Sequence, residues 1–162
     1  MLSAFNVYAK GVYQEPEAFI NEVYNQAPPE PDVVWISGEL KDAIIDIMGH
    51  DLGVLRLRYW LKDDRSTWIL EEIGKERPIT TGIVVNNEQI EQIKILVFRE
   101  IRGWEVRYPF FTDQFKGAVL SDDRELDRHI DGITGATLSV NAVTKLARLS
   151  LLLHDKVTGE ND

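Results

Sequence analysis

The residues best suited to chemistry lie together in a short glycine-rich segment that runs from Asp131 to Ser139. This segment joins a polar, charged stretch to an apolar pattern of helical spacing, and it carries hydroxyl groups at Thr134, Thr137 and Ser139. Free backbone N–H groups and the positive end of the helix dipole meet where a helix begins. The segment therefore predicts an anion site, and phosphate is the anion that such sites commonly bind.

Small residues in the segment leave space for a bound group. Gly132 and Gly135 permit backbone conformations that other residues avoid, and Gly135 with Ala136 leaves room for a phosphate. The competing interpretation is a glycine turn with a threonine N-cap, which occurs at many unrelated helices. A P-loop is excluded because no lysine follows Gly135.

Composition excludes several other chemistries. The chain has no cysteine, which rules out disulfides, thiolate nucleophiles, iron–sulfur clusters and cysteine zinc sites. Its three histidines, His50, His129 and His154, lie far apart in sequence without ligand spacing, so we expect no metal site. We also expect no general acid or base among the side chains.

The formal net charge of −9 argues against a nucleic-acid backbone or an anionic membrane surface as a partner. The N-terminus has no basic stretch followed by a long apolar run, and about 18 consecutive apolar residues occur nowhere. We therefore expect neither a signal peptide nor direct membrane insertion in this chain.

The surrounding patterns predict an α+β fold, with an antiparallel sheet packed by N-terminal helices and a long C-terminal helix. Residues 1–54 form a predicted N-terminal helical region, and residues 55–162 form the main domain, which we expect to be one compact unit. Alternating apolar residues predict strands over 55–61, 68–70, 79–85 and 90–98, with a further strand over 104–108. Helices are predicted from Pro16, from Glu39 and over 138–154. The four tryptophans are expected in the core.

The string Asp131-Gly132-Ile133-Thr134-Gly135-Ala136-Thr137 resembles the flavinylation motif D-x-x-[ST]-G-A-T of FMN-binding domains. That family includes the C-subunit of the sodium-pumping NADH:quinone reductase and the G-subunit of the Rnf complex. Upstream strings at 68–80, 102–107 and 111–117 resemble single-domain FMN-binding proteins of extracytoplasmic electron transfer. The resemblance covers roughly residues 55–155, so the domain 55–162 is expected to be an FMN-binding domain.

This resemblance implies that FMN is attached to Thr137 by a phosphoester bond, installed from FAD by a magnesium-dependent flavin transferase. Asp131 either presents the motif to that enzyme or forms an Asx turn. Thr134 and Ser139 either hold phosphate oxygens or cap the helix. The expected cofactor-binding set beside Thr137 is Asp131, Gly132, Thr134, Gly135, Ala136, Leu138 and Ser139.

The wall of the flavin ring site is less defined. The membrane-complex members carry a Pro-Gly-Leu-Gly loop where this chain has residues 105–111. Trp104, Glu105, Phe111 and Phe115 are candidates to contact the ring, although the aromatic residues are also typical of a core.

The resemblance implies an electron carrier in a periplasmic or extracytoplasmic location, with a flavin transferase and membrane-bound redox proteins as its partners. The alternatives are a flavin-dependent reductase of a small substrate, a redox-sensing module of a membrane complex, and a structural domain in which Thr137 only caps a helix.

Overall fold

A computed structural model describes residues 11–159, and its centre is a five-stranded antiparallel sheet. The strands lie in space in the order of the sequence, so each one pairs with its chain neighbour. They are β1 Asp32–Trp35, β2 Arg56–Lys62, β3 Arg65–Ile73, β4 Pro78–Asn86 and β5 Gln89–Val97. Helices cover both faces of the sheet, which confirms the α+β class.

Four α-helices accompany the sheet: α1 Pro16–Val23, α2 Gly38–Met48, α3 Pro109–Thr112 and α4 Thr137–Gly159. Helix α1 lies on one face, where its apolar side packs on β4 and β5. Helices α2 and α4 pack against each other, and α4 covers the opposite face. Both faces of β4 are therefore buried. Among residues 11–159, no helix has the length and apolar character needed to cross a membrane.

Tight turns explain why β2 lies beside β3 and β4 beside β5. Residues Asn87 and Glu88 connect β4 to β5 with φ angles of 51° and 66°, the left-handed conformation that a two-residue hairpin turn requires. Asp63 has a φ of 54° in the two-residue turn between β2 and β3. A two-residue loop is long enough only for antiparallel pairing between the two strands that it joins.

Three expectations from the sequence are wrong. Residues 104–108 form no strand, because Gly103 adopts a φ of 91° and turns the chain into a 3-10 helix over Trp104–Arg107. Residues 32–35 of the predicted helical region form β1, because two β-branched valines follow the proline-rich break and pair with β2. Trp35 and Trp104 lie at the surface, with 59% and 40% of their area exposed.

Close packing of α1 on the sheet depends on the missing side chain of Gly82. A Cβ atom at Gly82 would lie 2.4 Å from Cε1 of Phe19, and Phe19 is fully buried. Contacts this short do not occur between unstrained atoms, so the helix can approach β4 only because this residue is a glycine.

We predict that Gly82→Ala lowers the free energy of unfolding by about 1–3 kcal/mol, since the added methyl group overpacks the α1 interface. Denaturant titration measures the change. The double variant Phe19→Leu/Gly82→Ala should lose less than the sum of the two single variants, because the smaller side chain yields space. Additive losses, or an unchanged Gly82→Ala variant, would contradict this account of the interface.

A buried hydrogen-bond chain joins α4 to the sheet. The indole N–H of Trp68 donates to Oγ of Ser66 over 2.8 Å, and Oγ lies 2.6 Å from Nδ1 of His154. An indole can only donate, so Oγ of Ser66 accepts from Trp68, and one further hydrogen bond joins Oγ to Nδ1 of His154 in a direction set by the ring tautomer. Burial lowers the pKa of His154 against the opposing effect of Asp64 and other nearby carboxylates.

We predict that part of the folding free energy contributed by His154 is lost as the pH falls below 6.5, the ordinary pKa of histidine. There the unfolded chain binds a proton that the folded chain excludes, so stability falls until the lowered pKa is reached. His154→Gln should reduce stability at pH 8 and flatten its decline toward pH 5, as urea titrations at several pH values would measure.

His50 provides a control of opposite sign. Hydrogen bonds to the carbonyl of Asp51 and to the carboxylate of Glu72 raise the pKa of His50. The contribution of His50 to stability is present at low pH and is lost as the pH rises through its raised pKa. His50→Gln should therefore make the free energy of unfolding fall more steeply as the pH is lowered. Parallel pH profiles for the two variants would contradict both assignments.

Candidate functional site

Thr137 is the first residue of α4, and its side chain is exposed. Within residues 11–159 its hydroxyl makes no hydrogen bond, and the N–H groups of Thr137, Leu138 and Ser139 donate to no protein acceptor. The first intrahelical contact is the bond from the N–H of Val140 to the carbonyl of Ala136, 2.9 Å long. A free hydroxyl thus stands beside free donors at the positive end of a 23-residue helix.

The approach to this helix start is open. Atoms placed as Cβ on Gly132 or Gly135 would meet nothing within 4 Å, and both residues are exposed. Gly135 adopts a φ of 82°, the left-handed conformation that turns the chain into the helix. Ala136 is buried beneath the turn, whereas Thr134 is exposed. A phosphate group suits this surface, since Thr137 is exposed and the space at Gly132 and Gly135 is open.

The first turn of α4 rests on two glycines from distant parts of the chain. Ser139 is buried, and its Oγ would lie 2.3 Å from a Cβ on Gly103 and 3.6 Å from a Cβ on Gly74. Gly103 also has a φ of 91°. The structure thus turns the Ser139 hydroxyl inward to the loops that support the helix, rather than outward to the surface beside Thr137.

A single carboxylate holds these supporting loops together. Oε1 of Glu100 accepts the backbone N–H groups of Lys75, Glu76 and Arg77 at 2.8, 2.7 and 2.9 Å. Desolvation favours the neutral acid, but these donors and the charge of Arg77 outweigh it and lower the pKa of Glu100. The ionised side chain closes the turn between β3 and β4 and places Gly74 beside the start of α4.

Asp131 is fixed through its backbone. Its N–H donates to Oε1 of Gln114 over 2.7 Å, and its carbonyl accepts from Nε2 of the same side chain over 3.3 Å. The Asp131 carboxylate is exposed and lies 3.6 Å from Nε2 of His129. Among the described residues it forms no Asx-turn bond, so its carboxylate is presented to solvent at the beginning of the motif.

Residues 101–110, which we call the aromatic loop, pass beside the start of α4. The contact of Gly103 with Ser139 fixes this position. The loop exposes several apolar side chains, and Leu138 on the helix is itself 51% exposed. The exposed members are Ile101, Trp104, Tyr108 and Phe110.

Arg107 organises the aromatic rings of the loop. Its guanidinium carbon lies 4.8 Å from the ring centre of Tyr108, 5.4 Å from that of Trp104 and 4.6 Å from that of Tyr13. Trp104 meets Tyr108 edge to face, with ring centres 5.8 Å apart. The result is an exposed surface of aromatic rings around one cation, close to the open end of α4.

The ring candidates from the sequence divide into two groups. Trp104 and Glu105 lie on the aromatic loop, at least partly accessible. Phe111 and Phe115 are fully buried and pack edge to face with centres 5.4 Å apart, so they are core residues and not part of an open surface.

Sequence reasoning missed Gly74, Glu100, Arg107, Tyr108 and Phe110. The apolar run 108–111 was the one available signal.

Within residues 11–159, no three histidine or carboxylate side chains are grouped in a way that holds a metal ion. No carboxylate or imidazole of the described chain forms a hydrogen bond with the Thr137 hydroxyl either. The arrangement can therefore receive an anionic group at Thr137, but it contains no base in contact with that hydroxyl.

A comparison with known families agrees with this geometry. Residues 74–151 match the family model of the FMN-binding domain. No match was found among curated proteins or solved structures. The matched segment begins at Gly74, contains Glu100, the aromatic loop and Thr137, and ends within α4. The part of the chain that builds the site is thus a member of the FMN-binding domain family, and the protein carries an FMN-binding domain.

Proposed function

We propose that this protein is an electron carrier whose FMN is attached covalently to Thr137 through a phosphoester bond. The observation that carries the proposal is the position of Thr137. Its hydroxyl is exposed and free of hydrogen bonds among the described residues, at the open N-terminus of α4 and at the last position of a motif that resembles a flavinylation sequence.

Attachment requires a transferase because none of the residues 11–159 places a base at the hydroxyl. In the proposed reaction, Oγ1 of Thr137 attacks the phosphorus on the FMN half of FAD. A new P–O bond forms, the pyrophosphate bond breaks and AMP leaves. The transferase supplies the magnesium ion and the base that takes the hydroxyl proton. Exposure of Asp131, Thr134 and Thr137 suits this requirement, because a second protein must reach the segment from outside.

After attachment, the protein's own groups hold the phosphate. The free N–H groups of the first helical turn and the helix dipole favour its negative charge. Glu100 and the two supporting glycines fix the direction of this turn through Ser139. Positioning therefore comes from the backbone.

The aromatic loop offers the surface for the flavin ring. Trp104 and Tyr108 expose ring area beside the helix start, and Leu138 adds an apolar contact. A planar ring laid on these groups would remove apolar area from water and gain stacking contacts. When bound, FMN supplies one- and two-electron redox chemistry.

Electron transfer between proteins is the reaction that this architecture fits best. The exposed loop leaves the proposed ring position accessible to other proteins. We further propose an extracytoplasmic location with membrane-bound redox partners, as the motif resemblance implies.

We predict that co-expression with a flavin transferase raises the intact mass by that of FMN less one water. Thr137→Val should abolish this increase, since it removes the attacking oxygen while preserving the shape of the side chain. Thr144→Val is the matched control, because it makes the same change on the same helix outside the motif and should leave the mass increase intact. An unmodified wild-type chain, or a modified Thr137→Val chain, would refute the covalent attachment.

We predict that Gly103→Ala slows the modification and lowers the free energy of unfolding by about 1–3 kcal/mol. The added methyl group would clash with Ser139 in a backbone conformation that alanine rarely adopts. Gly159→Ala is the control, because Gly159 lies at the other end of α4 with open space around it, so stability and modification rate should stay close to the wild type. Equal rates for the Gly103 variant and the control would show that the supporting loop does not position the acceptor.

A further inference from the structure

A second site emerges on the face of the sheet opposite α4. A cavity of about 770 Å³ lies between α1, the proline-rich segment that follows it, and the outer face of β1, β2 and β3. Its volume falls in the range of small-molecule sites, roughly 300–1,000 Å³. Neither the FMN-binding motif nor the aromatic loop contributes to its lining.

Strand β2 presents three suitable side chains to this cavity in one row. Arg56, Arg58 and Trp60 alternate with Leu57 and Tyr59, so they share one face, with about 7 Å between successive members. The opposite face carries Tyr59, which packs in the core below α2 and α4. The row thus places two guanidinium groups beside one indole ring.

The two arginines lack carboxylate partners. Among residues 11–159, neither Arg56 nor Arg58 forms an ion pair or a hydrogen bond through its guanidinium group. Five other arginines of this part of the chain do pair with carboxylates, namely Arg65, Arg99, Arg124, Arg128 and Arg148. In a chain of net charge −9, an unpaired pair of cations at a cavity requires an explanation.

The neighbouring strand and helix complete the lining. Val33 pairs with Arg58 and Trp35 pairs with Arg56 across β1 and β2, so these side chains lie on the same face. The guanidinium carbon of Arg56 lies 5.6 Å from the ring centre of Trp35, which restrains its position. Glu17 from α1 is the one carboxylate among the lining residues of the described chain, so the lining keeps a positive balance.

We propose that this cavity binds a nucleotide, with its base on Trp60 and its phosphates on Arg58 and Arg56. Guanidinium groups bind phosphate oxygens through paired hydrogen bonds, and an indole face provides stacking area for a planar base. Apolar side chains of Val33 and Ile69 line the floor between them. Along β2 the indole ring lies at one end of the row and the two guanidinium groups follow it. This order suits a molecule that has a planar base at one end and phosphates at the other.

Calorimetric titration of the full chain with ADP tests the proposal, with adenosine and pyrophosphate as the two halves of the probe. ADP should bind more tightly than either half. Arg58→Gln and Arg56→Gln should each weaken ADP binding about tenfold, the usual effect of losing a charge-assisted hydrogen bond. Trp60→Leu should weaken ADP binding but leave pyrophosphate binding unchanged.

Arg102→Gln is the matched control, because Arg102 is also exposed and unpaired among the described residues but lies next to Gly103 at the FMN site. Its ADP affinity should equal that of the wild type. Circular dichroism would verify that each variant is folded. Absence of ADP binding at about 1 mM, equal affinity for pyrophosphate and ADP, or a loss caused by Arg102→Gln and not by Arg58→Gln would overturn the proposal.

Discussion

The start of α4 can lie where it does only because Gly103, beneath it, has no side chain. Gly74 and Gly103 come from different loops, and both face the buried Ser139. Any larger residue at Gly103 would meet the helix at a distance that atoms do not tolerate. The position of Thr137, two residues earlier, follows from this contact, and so does the position of the aromatic loop beside it.

The rest of the fold holds that contact in place. Glu100 fixes the β3–β4 turn that carries Gly74, and the tight hairpin turns keep β3, β4 and β5 in register. Helix α4 is anchored far from the site by the buried chain from His154 to Trp68. Because the helix is fixed along its length, its first turn can stay open to solvent without losing its direction. An exposed and rigid acceptor is what modification by another protein requires.

Local patterns predicted much of this structure. Alternating residues gave four of the five strands, and the apolar stripe gave α4 within a few residues of its observed limits. The motif segment at the helix start was predicted from its glycines and hydroxyls. Strand β1 was not predicted, because four residues are too few for a periodic signal and its pairing with β2 is a tertiary effect.

The supporting part of the site was not predictable in this way. Glu100 accepts N–H groups about 24 residues earlier in the chain, and Gly103 meets a serine 36 residues later. Such contacts depend on how loops meet in space, which spacing does not encode. The chain direction changes repeatedly in the short helical turns at 104–115. For this reason Phe111 and Phe115 are buried, whereas Tyr108 and Phe110 are exposed.

The central claim is that one hydroxyl, that of Thr137, carries the flavin. Trypsin should release residues 129–145 as one peptide, because no lysine or arginine lies between Arg128 and Lys145. This peptide contains four hydroxyl side chains, so fragment-ion mass spectrometry of protein co-expressed with a flavin transferase can separate them. The account predicts the mass of FMN less one water on Thr137 alone. The same mass on Thr134, Ser139 or Thr144, or flavin that is lost on denaturation, would contradict it.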